Sequence, residues 1–133
     1  MIIAVDFDGT IVENRYPNIG LEISFAFDTL KALNKAGHQL ILWTVRSGKQ
    51  LDDAVAYCEE RGVEFYAVNK SYPEEIFEDG ISRKINADMF IDDRNIGGMQ
   101  SWGAIYQMIC PEQSGIMDQK NKKSFFQRMF EKQ

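Results

Sequence analysis

Apolar residues fall along this chain in two rhythms, short unbroken runs and helically spaced stripes. Met1-Ile2-Ile3-Ala4-Val5 and Gln39-Leu40-Ile41-Leu42-Trp43-Thr44 are apolar runs without clean alternation, as expected of strands buried in a parallel sheet. Val63 to Val68 forms a shorter third run, and Ala87 to Ile91 a fourth. Between the first two, Ile23, Ala26, Phe27, Leu30 and Leu33 recur at helical spacing, and Gly37 suits the C-terminal cap. Leu51, Ala54, Val55 and Cys58 define a second helical face, with Ser47 placed to cap its start and Gly62 to close it. Trp102, Ile105, Tyr106 and Ile109 share one face of a third helix. The polar stretch from Glu13 to Asn18, ending near Gly20, predicts a loop. A second loop is predicted from Asn69 to Ile85, with one helical turn after Pro73.

Strands alternating with helices predict right-handed βαβ units and an α/β fold, its parallel sheet covered on both faces. A length of 133 residues suits one domain, and neither an internal repeat nor a fifth strand is evident. Apolar residues make up 44% of the chain, with nine Phe, five Tyr and two Trp, enough for a single core. The net charge of −5 argues against a general nucleic-acid binder, although a nucleic-acid substrate is not excluded. No apolar stretch approaches the roughly 20 residues that span a bilayer, and no secretory signal is apparent. Cys58 and Cys110 form no CxxC pair and read as buried reduced thiols, so a cytoplasmic location is expected.

The strand ends carry the chemistry. The first run meets Asp6-Phe7-Asp8-Gly9-Thr10, the second ends at Thr44, and the fourth stops at Asp92-Asp93, with Lys84 some residues earlier. In a parallel sheet these ends share one edge, where ligands of open α/β folds bind. Asp and Gly after a strand are also ordinary turn residues, and paired Asp bind metals in unrelated enzymes such as sugar-nucleotide transferases. Crowded carboxylates with neither His nor Cys beside them point to a hard divalent cation, magnesium over zinc or copper. A carboxylate there can attack a phosphoryl group, and a second can move the leaving-group proton.

These residues, in this order and strand context, resemble the haloacid dehalogenase (HAD) superfamily of phosphohydrolases over roughly Met1 to Ile109. The resemblance implies a three-layer Rossmann-like fold, with a catalytic domain over residues 1–112. It implies Asp6 as nucleophile through an aspartyl-phosphate and Asp8 as general acid and then base. Thr44 and Lys84 would hold the phosphoryl group, with Lys70 as a second lysine candidate. Asp6, Asp92, Asp93 and the backbone carbonyl of Asp8 would hold Mg2+. An acid at position 8 favours phosphate esters over dehalogenation. Both usual insertion points for a cap domain are filled by ordinary elements, so the chain resembles the small capless members.

An uncapped site leaves selectivity to local residues. Arg46 is the best candidate for an anionic group, since guanidinium forks match phosphate and carboxylate. Arg15, Asn14 and Tyr16 in the first loop, Lys70 and Tyr72, and the turn residues Gly9 and Thr10 are further candidates for the substrate site. Trp43 reads as core, and Arg94 as a possible partner for the acidic edge. A receiver domain shares the sheet, Thr and Lys, but its phosphorylated Asp follows the third strand, which here ends in Asn69. A catalytically idle phosphate- or partner-binding module and a phosphotransferase remain alternatives. Residues 113–133 form a basic, aromatic tail, read as helical. From Asp118 onward five cations face two acids, and Phe125, Phe126, Met129 and Phe130 would share a face. Such a helix can meet a membrane surface or a partner groove; docking on its own domain or on a second copy in a homo-oligomer is the simpler expectation.

Overall fold

The computed structural model describes residues 1–110, so the tail and its roles lie outside the described residues. Strands β1 (Ile2–Val5), β4 (Gln39–Leu42), β5 (Ala67–Val68) and β6 (Met89–Ile91) form one parallel sheet in the order β5-β4-β1-β6. The fold is therefore mixed α/β, with the central parallel sheet of Rossmann-like architectures. β1 is central because it is the most apolar strand, and Ile3, Ala4 and Val5 are essentially inaccessible to water. The chain steps from β1 outward to β4 and β5, then returns to the other side of β1 for β6. That reversal lies between β1 and β6, where the edge opens for a ligand.

Helices α1 (Ala26–Lys35), α2 (Gly48–Glu60) and α3 (Trp102–Ile109) follow the predicted stripes. Ile3, Val5, Leu40 and Leu42 point to one side of the sheet and pack in one core with Phe27, Leu30 and Leu33 of α1, Ala54 and Cys58 of α2, and Trp102 and Ile105 of α3. The opposite face holds a smaller cluster of Ala4, Ile41, Ala67 and Ile85, flanked by Ile2, Trp43, Tyr66 and Ala87. Helices were expected on both faces. Among the described residues they pack on one, because the two crossovers from β1 to β4 and β4 to β5 step the same way and share a hand. The loop carrying Ile85 and Ala87 covers the other face. Cys58 and Cys110 are buried and unbridged, and burial pushes the Cys58 thiol up to about 12. Among the described residues no helix is long and apolar enough to cross a membrane.

The predicted loop after β1 is instead an antiparallel hairpin, β2 (Val12–Arg15) with β3 (Asn18–Glu22). Its solvent side is polar, which removes the apolar alternation that would mark it as a strand pair. Two further runs are shorter than their apolar lengths suggest, since only Ala67–Val68 and Met89–Ile91 find a paired neighbour. The stretch after Pro73 forms a turn, in which the Glu75 amide donates to the carbonyl of Tyr72.

Gly20 permits the hairpin to close. A side chain there would collide with the Glu13 carbonyl of the facing strand, a backbone group with nowhere to move. Gly20→Ala is expected to destabilise the protein by about 1–3 kcal/mol, the usual cost of overpacking, as read by chemical denaturation. Wild-type stability in that variant would contradict the closely packed hairpin.

Candidate active site at the carboxyl edge of the sheet

Asp6 continues β1 by one residue, its amide donating to the Ile91 carbonyl of β6 at 3.0 Å. That pairing holds the ends of the two strands together and brings Asp6 beside Asp92 and Asp93. One carboxylate oxygen from each of the three lies within 4.8 Å of the others. Thr10, fully buried, sits beneath them. Its hydroxyl accepts from the Asp93 amide at 3.0 Å and lies 2.9 Å from Asp6 Oδ2 and 3.1 Å from Asp93 Oδ1. Having a single proton, it satisfies one carboxylate at a time. Trp102 anchors the turn from below, Nε1 donating to the Thr10 carbonyl at 2.9 Å. Gly9 adopts φ +88°, and a Cβ at this position would collide with the Asp93 carboxylate.

Burial pushes the Asp6 carboxyl up to about 7, with the Asp93 and Asp92 carboxyls adding to the rise and the Thr10 hydroxyl opposing it. This crowding is the observation against which a metal is tested. Three hard oxygen donors, with neither nitrogen nor sulfur among them, fit a magnesium-like cation that keeps several waters.

A cleft of about 400 Å³ opens over the group, lined by Asp6, Asp8 and Asp92 with Asn14, Tyr16, Trp43, Thr44, Val45 and Arg94. The Thr44 hydroxyl accepts from the Arg46 amide at 3.1 Å, which leaves its own proton for a ligand. The Thr44 amide donates to Asn69 Oδ1 at 2.8 Å, a support from the end of β5 that the sequence did not single out.

Asp8 and Arg46 meet in a way the sequence reading did not foresee. Arg46 Nε donates to Asp8 Oδ2 at 2.7 Å and Nη2 to Oδ1 at 2.8 Å. The remaining N–H groups donate to the carbonyls of Pro17 (3.1 Å), Gln50 (3.3 Å) and Asn18 (2.8 Å). All five guanidinium donors are thus engaged within the protein, and the side chain has 0% exposure. Arg46 therefore offers no donor to a substrate anion, contrary to the sequence expectation.

Other expected residues are placed as follows. Arg15 points away from the cleft toward Glu13, 3.7 Å away, because alternation along β2 turns Asn14 inward and Arg15 outward. Gly9 and Thr10 shape the carboxylate group from beneath; neither lines the cleft, and Thr10 has no exposed surface. Lys84 is exposed on the opposite face of the sheet, Nζ 5.9 Å from the centre of the Phe90 ring, and Lys70 does not line the cleft either. The Asp8 carboxylate stands on Arg46 and outside the three-carboxylate group, and its backbone carbonyl was the only metal ligand the resemblance assigned to it. Trp43 and Arg94, set aside as core and as an edge partner, both line the cleft.

A solved structure of a conserved protein from Bacteroides thetaiotaomicron is similar to this one, with 62% sequence identity and a TM-score of 0.79. The similarity covers 84% of this chain and 91% of that one. This chain belongs to the same family as that conserved protein. No protein-family model matches the chain, and no curated protein does either.

An Asp6 carboxyl near 7 holds its proton more tightly folded than unfolded, where the ordinary value is 3.8. Its stabilising contribution is complete below the unfolded value and disappears as pH rises through the folded one. Metal-free protein is therefore expected to melt at lower temperature as pH rises from about 5 to about 8, and Asp6→Asn should flatten that slope. Magnesium should raise the melting temperature more at the alkaline end, where no proton has to leave the site. An unchanged slope in Asp6→Asn, or a magnesium effect independent of pH, would contradict this electrostatic picture.

Proposed function

We propose that the protein is a magnesium-dependent phosphatase of the HAD type, without a cap domain, acting through an aspartyl-phosphate on Asp6. The observation that carries this reading is the group of Asp6, Asp92 and Asp93 carboxylates, of which Asp6 and Asp92 line a cleft together with Thr44. A cation held by Asp6, Asp92 and Asp93 would supply positive charge to the phosphate oxygens.

The chain's own residues account for the remaining steps. An Asp6 oxygen attacks phosphorus while Asp8 gives a proton to the leaving oxygen, so the departing group leaves as an alcohol. Asp8, now ionised, takes a proton from the water that attacks the aspartyl-phosphate. Phosphate leaves, and the Asp6 carboxylate and the Asp8 acid are restored. Thr44 donates its hydroxyl proton to a non-bridging oxygen. Arg94, on the cleft wall, takes the cationic role expected of Lys84.

The bidentate Arg46–Asp8 pair favours a second reading, a binding module that holds a phosphate ester without turning it over. Phosphate release from an aryl phosphate separates the two. Release with magnesium is expected, with loss in EDTA and a fall of at least about 1,000-fold in Asp6→Asn, as for removal of a covalent nucleophile. Turnover that survives Asp6→Asn would refute the nucleophile, and binding without any turnover would favour the module.

A further inference from the structure

We propose that Arg46 is a positioning residue joining the Asp8 carboxylate to the β2–β3 hairpin, so that one buried guanidinium sets both the acid's orientation and the cleft's outer wall. The acid–base role of Asp8 rests on the phosphatase reading above; the mechanical coupling does not.

A charge with no solvent exposure persists only when every donor is matched, and Arg46 meets that condition through three separate parts of the chain. Two bonds go to Asp8 after β1, two to the Pro17 and Asn18 carbonyls at the hairpin turn, and one to Gln50 in the first turn of α2. Its planar head also lies 5.1 Å from the centre of the Phe7 ring and 5.2 Å from that of Tyr16. A two-stranded hairpin is marginal by itself in water. Bonds from its turn to a buried cation hold it against the domain, and with it the cleft residues Asn14 and Tyr16.

Asp8 remains competent for proton transfer in this arrangement. A carboxylate has about four acceptor positions, of which the guanidinium occupies two, and Asp8 still lines the cleft. The fork fixes which oxygen lone pairs remain. Lysine cannot reproduce this, since its ammonium has three donors and no plane to set between two rings.

The test compares Arg46→Lys and Asp8→Asn with the unmodified protein in two measurements. The first is magnesium-dependent hydrolysis of an alkyl phosphate and of p-nitrophenyl phosphate. A leaving alkoxide needs a well-placed acid and a nitrophenolate does not. Arg46→Lys should therefore lose about 100-fold in kcat/KM on the alkyl ester but less than about tenfold on the aryl ester, because kcat/KM ends at the aspartyl-phosphate and excludes the water step that Asp8 serves for both. The second is peptide-level hydrogen exchange across residues 12–22. Both variants should speed exchange there about tenfold, although the side-chain bonds of Asp8 run to Arg46 and not to the hairpin. Asp8→Asn is isosteric and keeps the coupling testable if Arg46→Lys fails to fold. Equal losses of kcat/KM on both esters would overturn the positioning role, and hairpin exchange unchanged in Asp8→Asn would overturn the coupling. Unmodified protein inert toward both esters would instead refute the phosphatase reading, and exchange alone would then decide the coupling.

Discussion

Three carboxylates held within 4.8 Å of one another at the ends of two neighbouring strands are the constraint that the rest of this structure serves. Such a group is unfavourable by itself: burial first, and then the Asp93 and Asp92 carboxyls, push the Asp6 carboxyl up to about 7. The surrounding chain holds it together all the same. The Asp6 amide is tied to β6, the Thr10 hydroxyl lies between Asp6 and Asp93, and Trp102 fixes the Thr10 carbonyl from the helical layer. Gly9 is required because the Asp93 carboxylate occupies the space of a side chain. A packed hydrophobic core thus maintains charges in an arrangement that could hold a cation.

Asp8, two residues along, is treated differently. Its charge is matched by a guanidinium that is itself fully bonded, so the two acids of one short segment have separate environments. Asp6 belongs with the acidic group, and Asp8 with a cation that also holds the hairpin. The cleft between them has one wall from the sheet edge and one from the hairpin, with Trp43 and Tyr16 as its aromatic surfaces.

Much of this was legible before the structure. β1, β4 and the three helices follow from apolar runs and stripes, and a parallel sheet then brings Asp6, Thr44, Asp92 and Asp93 to one edge. The hairpin was not legible, because its exposed residues from Glu13 to Asn18 carry no apolar alternation. The pairing of Arg46 with Asp8 joins residues 38 apart in sequence, and spacing alone could not distinguish it from an anion site. Lys84 was matched by its distance in sequence from β6, but the preceding loop runs over the opposite face of the sheet and carries it out of the cleft. Errors of this kind collect in loops, where neither periodicity nor pairing constrains the path.

The central claim is that Asp6 is the group that becomes phosphorylated. It is tested most directly by acid-quenching the protein during turnover of an aryl phosphate with magnesium and mapping phosphoryl groups by peptide mass spectrometry. Phosphoryl transfer through Asp6 predicts modification of the peptide spanning Ile2 to Thr10, located to Asp6 by fragmentation and absent in Asp6→Asn. Turnover accompanied by a phosphoryl group on any other residue, or by none, would contradict the account.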